Sequence, residues 1–113
     1  MKKVILAMLC FPHLSFSAEL AQNTCHELYQ SWVFNLVLED ACSFKRNVSG
    51  KLGVLTKNAC NQFLTDEIKH QLGSQVIEDF RKEFDKLGEE ALCTAQKSGY
   101  DSTSEALDHI IKK

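Results

Sequence analysis

Proline is nearly missing from this sequence: its one copy, Pro12, lies close to the N-terminus, so no later helix is broken by that residue type. Glycine is scarce too, with five in 113 residues. No segment alternates apolar and polar residues for long enough to make a convincing strand, which leaves helices as the building material. There are no internal repeats, no low-complexity tract and no interdomain linker, so the chain reads as one domain. No apolar run approaches the roughly 20 residues of a membrane span. The chain also lacks HExxH, GxSxG, a phosphate-binding glycine loop and CxxC, and with them the common signatures of hydrolases, nucleotide enzymes and thiol oxidoreductases.

What is present begins with an export signal. Met1-Lys2-Lys3 is followed by the apolar run from Val4 to Phe11 and then by small residues up to Ala18. A basic start, a short apolar stretch and small residues are the pattern of a secretory signal peptide, here 1–18, with cleavage after Ser17 or Ala18. A lipid anchor on Cys10 is the rival, but Leu9 is larger than the residue such an anchor site wants before its cysteine. A mature domain of 19–113 in the periplasm or outside the cell is therefore expected. Without Lys2 and Lys3 it has 11 basic and 15 acidic side chains, a net charge of −4. Nucleic acid and anionic membranes recruit basic faces, so neither is expected as a partner.

The mature chain keeps four cysteines, Cys25, Cys42, Cys60 and Cys93. Zinc sites usually include a close cysteine pair, which this spacing does not supply. An even number of cysteines in an exported chain reads instead as two disulfides. Their pairing follows from the helices. Thr24 with Glu27 forms a capping box, and Leu28, Tyr29, Trp32, Val33, Phe34, Leu36, Val37, Leu38 and Ala41 cover most of the circumference of a helix expected over 25–43. Only Glu27, Ser31, Asn35 and Glu39 keep a polar stripe, and a helix this apolar belongs at the centre of a bundle. A helix rises 1.5 Å per residue, so Cys25 and Cys42 lie about 26 Å apart on it and cannot pair with each other.

Residues 43–50 break the helix, and Leu52, Leu55, Ala59 and Phe63 mark a second helix over 50–64. Thr65 ahead of Asp66 and Glu67 starts a third. Its apolar positions Ile68, Leu72, Val76, Phe80, Phe84, Leu87, Ala91 and Ala95 recur every three or four residues. The expectation is one long helix, with Gly73-Ser74 as the point of interruption, a main piece over 75–97 and a cap at Lys97-Ser98-Gly99. Ser102 with Glu105 then caps a short last helix carrying Leu107, Ile110 and Ile111. The fold class is all-α, a small disulfide-stapled bundle of four to five helices. In an up-down-up arrangement Cys42 and Cys93 share a level and Cys60 approaches Cys25. Cys25–Cys60 with Cys42–Cys93 is the expected pairing, and Cys42–Cys60 with Cys25–Cys93 stays open.

For chemistry, His26, His70 and His109 lie in no ligand spacing and read as solvated. The acidic pairs Glu39-Asp40, Asp66-Glu67, Glu78-Asp79 and Glu89-Glu90 read as solvated faces, with Glu78, Lys82, Lys86 and Glu90 four apart on one of them. No catalytic residue, metal or cofactor is expected. The apolar surplus on the first helix points to a contact strip at Tyr29, Val33 and Val37 for another protein or a second copy. Residues 33–55, VFNLVLEDACSFKRNVSGKLGVL, resemble the helix-Cys-aromatic-loop-helix region of the small helical pilotins that chaperone secretins. That likeness covers under a quarter of the mature chain, leaves Cys25 and Cys60 unaccounted for, and assigns no family. The function expected is an exported protein-binding module acting as inhibitor, immunity protein or assembly chaperone. A carrier holding a lipid or other small apolar ligand between its helices is the alternative.

Overall fold

The computed structural model describes residues 18–111, and the expected signal segment lies outside them except for Ala18. Among the described residues there are four α-helices and no strand: α1 (Ala18–Cys42), α2 (Val48–Cys60), α3 (Asp66–Leu87) and α4 (Glu89–Ile111), with a 3-10 turn at Asn61–Phe63. The all-α, stapled architecture is the one the sequence implies.

Helix α1 starts well before Thr24, and the capping box there goes unused. Glu19, Leu20, Ala21 and Gln22 are good helix formers with no breaker among them, so the helix runs through a cap signal that would serve only if the chain began there. Two residues in left-handed conformation, Ser43 and Asn47, each at φ 57°, turn the chain between α1 and α2. At the head of α3 the Thr65 hydroxyl accepts a hydrogen bond from the Ile68 amide at 3.2 Å, and Asp66 and Glu67 occupy the positive first turn.

The expected long helix over 75–97 is not what forms. Gly73-Ser74 stays helical, and the chain turns instead at Gly88, with φ 86°. Gly88 serves both neighbours: its N–H donates to Phe84 O at 2.8 Å, closing α3, and its carbonyl accepts from Leu92 N at 3.0 Å, opening α4. Lys86 before it and Glu89 and Glu90 after it match the dipoles of the two helix ends. Beyond Gly88 the buried residues are Leu92, Tyr100, Ser104 and Leu107, whereas Ala91 and Ala95, which prolonged the apparent repeat, are exposed. Helix α4 also runs straight through Lys97-Ser98-Gly99 and Ser102, so neither acts as a cap.

Helix α1 is central and packs against α2, α3 and α4. One core cluster joins all four helices through Leu38, Val48, Leu52, Phe80, Leu92, Tyr100 and Leu107. A second, at the opposite end of α1, gathers Cys25, Cys60 and Leu64 with Leu28, Tyr29, Phe63, Ile68 and Leu72 around them. The disulfides are Cys25–Cys60 and Cys42–Cys93, with Cα atoms 5.5 and 5.6 Å apart, the pairs expected from helix levels. Cys93, however, belongs to α4 and not to a prolonged α3. The level argument still holds because Gly88 turns the chain at the end of the bundle where α1 also finishes.

Candidate functional site

The densest polar chemistry lies where α1, α2 and α4 meet, around the carboxylate of Glu39. Glu39 sits one turn before the end of α1 and faces the first turn of α2. There the Ser49 amide donates to Glu39 Oε2 at 3.2 Å and the Ser49 hydroxyl donates to Oε1. The carboxylate thus satisfies an amide that the start of a helix leaves without an intrahelical partner, and does so in the favourable field of that helix end. From α4 the Tyr100 hydroxyl donates to Oε2 at 2.7 Å and accepts from the Arg46 amide at 2.9 Å. Three segments far apart in sequence are held by one side chain.

Further ties flank this clasp. Lys51 Nζ lies 2.6 Å from Asp108 Oδ1 and donates to Ser104 Oγ at 3.3 Å. Arg46 approaches Asp101 at 3.5 Å, and Lys97 reaches the same carboxylate at 3.0 Å while lying over the Phe44 ring, 5.5 Å from its centroid. Phe44 in turn stacks on Tyr100 with centroids 4.7 Å apart. Burial raises the Tyr100 phenol above its usual range, and its hydrogen bond to Glu39 adds to the shift, since an ionised phenol would face a carboxylate. The hydrogen bond from Lys97 lowers the Asp101 carboxyl, and Arg46 acts in the same direction.

Chemically this group suits holding better than reaction. Ser49 is 5% exposed and its hydroxyl is committed to Glu39. No histidine is part of the group. His70 and His109 are exposed on separate helices, and His26 is half-buried on α1. Among the described residues, no group of three or more His, Cys, Asp or Glu side chains is placed to hold a metal ion.

The sequence reading took the Glu39-Asp40 pair as solvated. Asp40 is exposed, but Glu39 turns into the clasp. Of the stripe Glu27, Ser31, Asn35 and Glu39, Asn35 is buried at 7% exposed, with its amide donating to Ser31 O at 2.8 Å, and the other three are half-buried. Burial correspondingly raises the Glu27 carboxyl.

None of the three residues of the expected contact strip is fully exposed. Val33 is buried, while Tyr29 and Val37 are half-buried. Tyr29 meets Trp32 edge-on at 5.6 Å and lies over Gly73 of α3, and Val37 packs against the main core. α1 has neighbours on three sides, and among its described side chains the large exposed apolar one is Leu36, at 49%. Large exposed apolar side chains elsewhere are Val54, Ile77, Leu87, Ile110 and Ile111. A shallow groove on the outer face of α4 is lined by Thr94, Lys97, Ser98, Asp101, Ser102 and Glu105.

No family model matches the chain, and no curated protein or solved structure is significantly similar to it. The functional reading therefore rests on the geometry of this molecule.

Proposed function

We propose that this chain is an exported helical protein-binding module: residues 1–18 direct it out of the cytoplasm, and the mature domain captures another exported protein as inhibitor, immunity protein or assembly chaperone. One observation carries the reading. A scaffold stapled at both ends of its central helix leaves large apolar side chains facing solvent on every helix, including Leu36, Val54, Ile77 and Ile110. A rigid surface loses little conformational entropy on binding, and a few contact residues supply most of the affinity of a typical interface. Two disulfides suit an oxidising compartment, the periplasm or the exterior. No helix among the described residues is long and apolar enough to cross a membrane.

A carrier needs an enclosed apolar cavity, whereas the groove on α4 is open and lined by polar and charged residues. Binding of protein is favoured for that reason. The test uses the purified, oxidised protein as bait in periplasmic extract, beside four variants, Leu36→Asp, Val54→Asp, Ile77→Asp and Ile110→Asp. One stoichiometric protein partner is expected, with recovery abolished by one or two of the substitutions. Failure to recover a partner across a range of salt and pH, or equal recovery by all four variants, contradicts the proposal.

A further inference from the structure

The two disulfides differ in access and in what they hold. Cys25 and Cys60 are 5% and 1% exposed and lie under Leu64 and its apolar neighbours. Cys42 and Cys93 are both half-buried, Cys42 packing against the edge of the main core, so this bridge is the less buried of the two. Cys42 is the last residue of α1, followed by exposed Ser43, and Cys93 lies in the second turn of α4 between buried Leu92 and exposed Thr94. Thiol–disulfide exchange requires a thiolate to reach one sulfur along the line of the S–S bond, so access selects which bridge reacts.

The bridge that is open to attack is also the covalent hold on α4. That helix has 23 residues and buries four of them, Leu92, Tyr100, Ser104 and Leu107. Its remaining ties to the bundle include the Tyr100–Glu39 hydrogen bond and the ion pairs Lys51–Asp108 and Arg46–Asp101. Cys25–Cys60, by contrast, joins α1 to α2 and leaves α4 unconstrained. Beneath α4 lie Leu38, Val48, Leu52 and Phe80, an apolar face contributed by the other three helices.

We propose that Cys42–Cys93 is a reducible latch: a protein dithiol of the periplasmic or extracellular reductant class opens it selectively, and α4 loosens from the bundle to uncover the Leu38–Val48–Leu52–Phe80 face. In the first step the attacking thiolate forms a mixed disulfide with one sulfur and expels the other as a thiolate, which takes up a proton. The second thiol of the reductant then displaces the remaining cysteine. The bridge gains two electrons and two protons to become two thiols, and the dithiol is oxidised to a disulfide. The latch does not depend on which partner the domain binds.

The test is graded reduction of the native, oxidised protein. Any free thiol is first blocked with iodoacetamide. Dithiothreitol is then added in steps, and the thiols it releases are trapped with N-ethylmaleimide and mapped by mass spectrometry. The expected intermediate has two labels, on Cys42 and Cys93, and forms at least tenfold faster than label appears on Cys25 or Cys60. In that intermediate, amide hydrogen exchange over 92–107 accelerates at least tenfold while protection within α1 and α2 changes less than twofold. Labelling of Cys25 and Cys60 first, or of all four together, overturns the proposal, as does a two-label species that keeps full protection in α4. The double variant Cys42→Ser, Cys93→Ser shows the same exchange pattern without reductant. Should it fail to fold, the labelling order in the native chain still decides.

Discussion

At the scale of single residues, Glu39 carries more of the structure than its neighbours in sequence suggest. Its carboxylate accepts from Ser49 twice and from Tyr100 once, so Glu39→Ala leaves the α2 amide and the Tyr100 hydroxyl without their acceptor. Hydrogen bonds to a charged group contribute on the order of 1.5–3 kcal/mol, and Glu39→Ala is expected to cost at least about 2 kcal/mol in urea unfolding with an unchanged m-value. Glu27 behaves in the opposite way. Burial raises its carboxyl in the folded state, so its contribution to stability is present at pH below the unfolded carboxylate value and is lost as pH rises through the folded one. At neutral pH the ionised group is a cost, and Glu27→Gln is expected to raise Tm by calorimetry. Tyr100 sets an alkaline limit. Its phenol is raised in the fold, so the stability it gives is present below the unfolded value and fades as pH climbs through the folded one. Tyr100→Phe should lower stability at pH 7 and flatten its decline above about pH 10 relative to wild type.

At the scale of elements, helix existence was legible in the sequence and helix boundaries less so, for reasons visible at particular residues. Thr65, Asp66 and Glu67 form a cap that competes with nothing, and it operates as read. The turn at Gly88 is masked in the sequence because Ala91 and Ala95 continue the four-residue repeat across it, although alanine fits an exposed face as readily as a buried one. The decisive signal was local: a basic residue, a glycine and two acids in the order Lys86, Gly88, Glu89, Glu90, which is a helix stop followed by a helix start. Apolar content identified α1 as central, but not which of its sides faced which neighbour, and so the clasp at Glu39 and the burial of Val33 were not foreseen. Two substitutions examine these elements. Gly88→Ala meets no steric neighbour but forces alanine to φ 86°, ψ 160°, a region essentially reserved for glycine, and is expected to cost about 1–3 kcal/mol. Gly53→Ala places a methyl group 2.9 Å from the Trp32 indole, where α2 crosses α1, and is expected to cost about 1–3 kcal/mol with a change in tryptophan fluorescence.

At the scale of the whole molecule, fewer than a hundred described residues build a thin core, and the two bridges offset that. Their cysteines are 35 and 51 positions apart, and on the chain-entropy model each closure contributes about 4 kcal/mol, an upper figure. That is a large share of the roughly 5–15 kcal/mol typical of a domain. The two act at different ends: Cys25–Cys60 fastens the start of α1 to α2, and Cys42–Cys93 fastens its end to α4. Cys42–Cys93 thus adds a covalent tie to the hold on α4 that buried Leu92, Tyr100 and Leu107 and the Tyr100–Glu39 hydrogen bond already provide. The central claim, that α1 is one continuous helix stapled at opposite ends to two different helices, is tested most directly by mass spectrometry of proteolytic fragments from the unreduced protein. The account predicts linked peptides containing Cys25 with Cys60 and Cys42 with Cys93; a peptide linking Cys25 to Cys42, or the pairs Cys42–Cys60 and Cys25–Cys93, would contradict it.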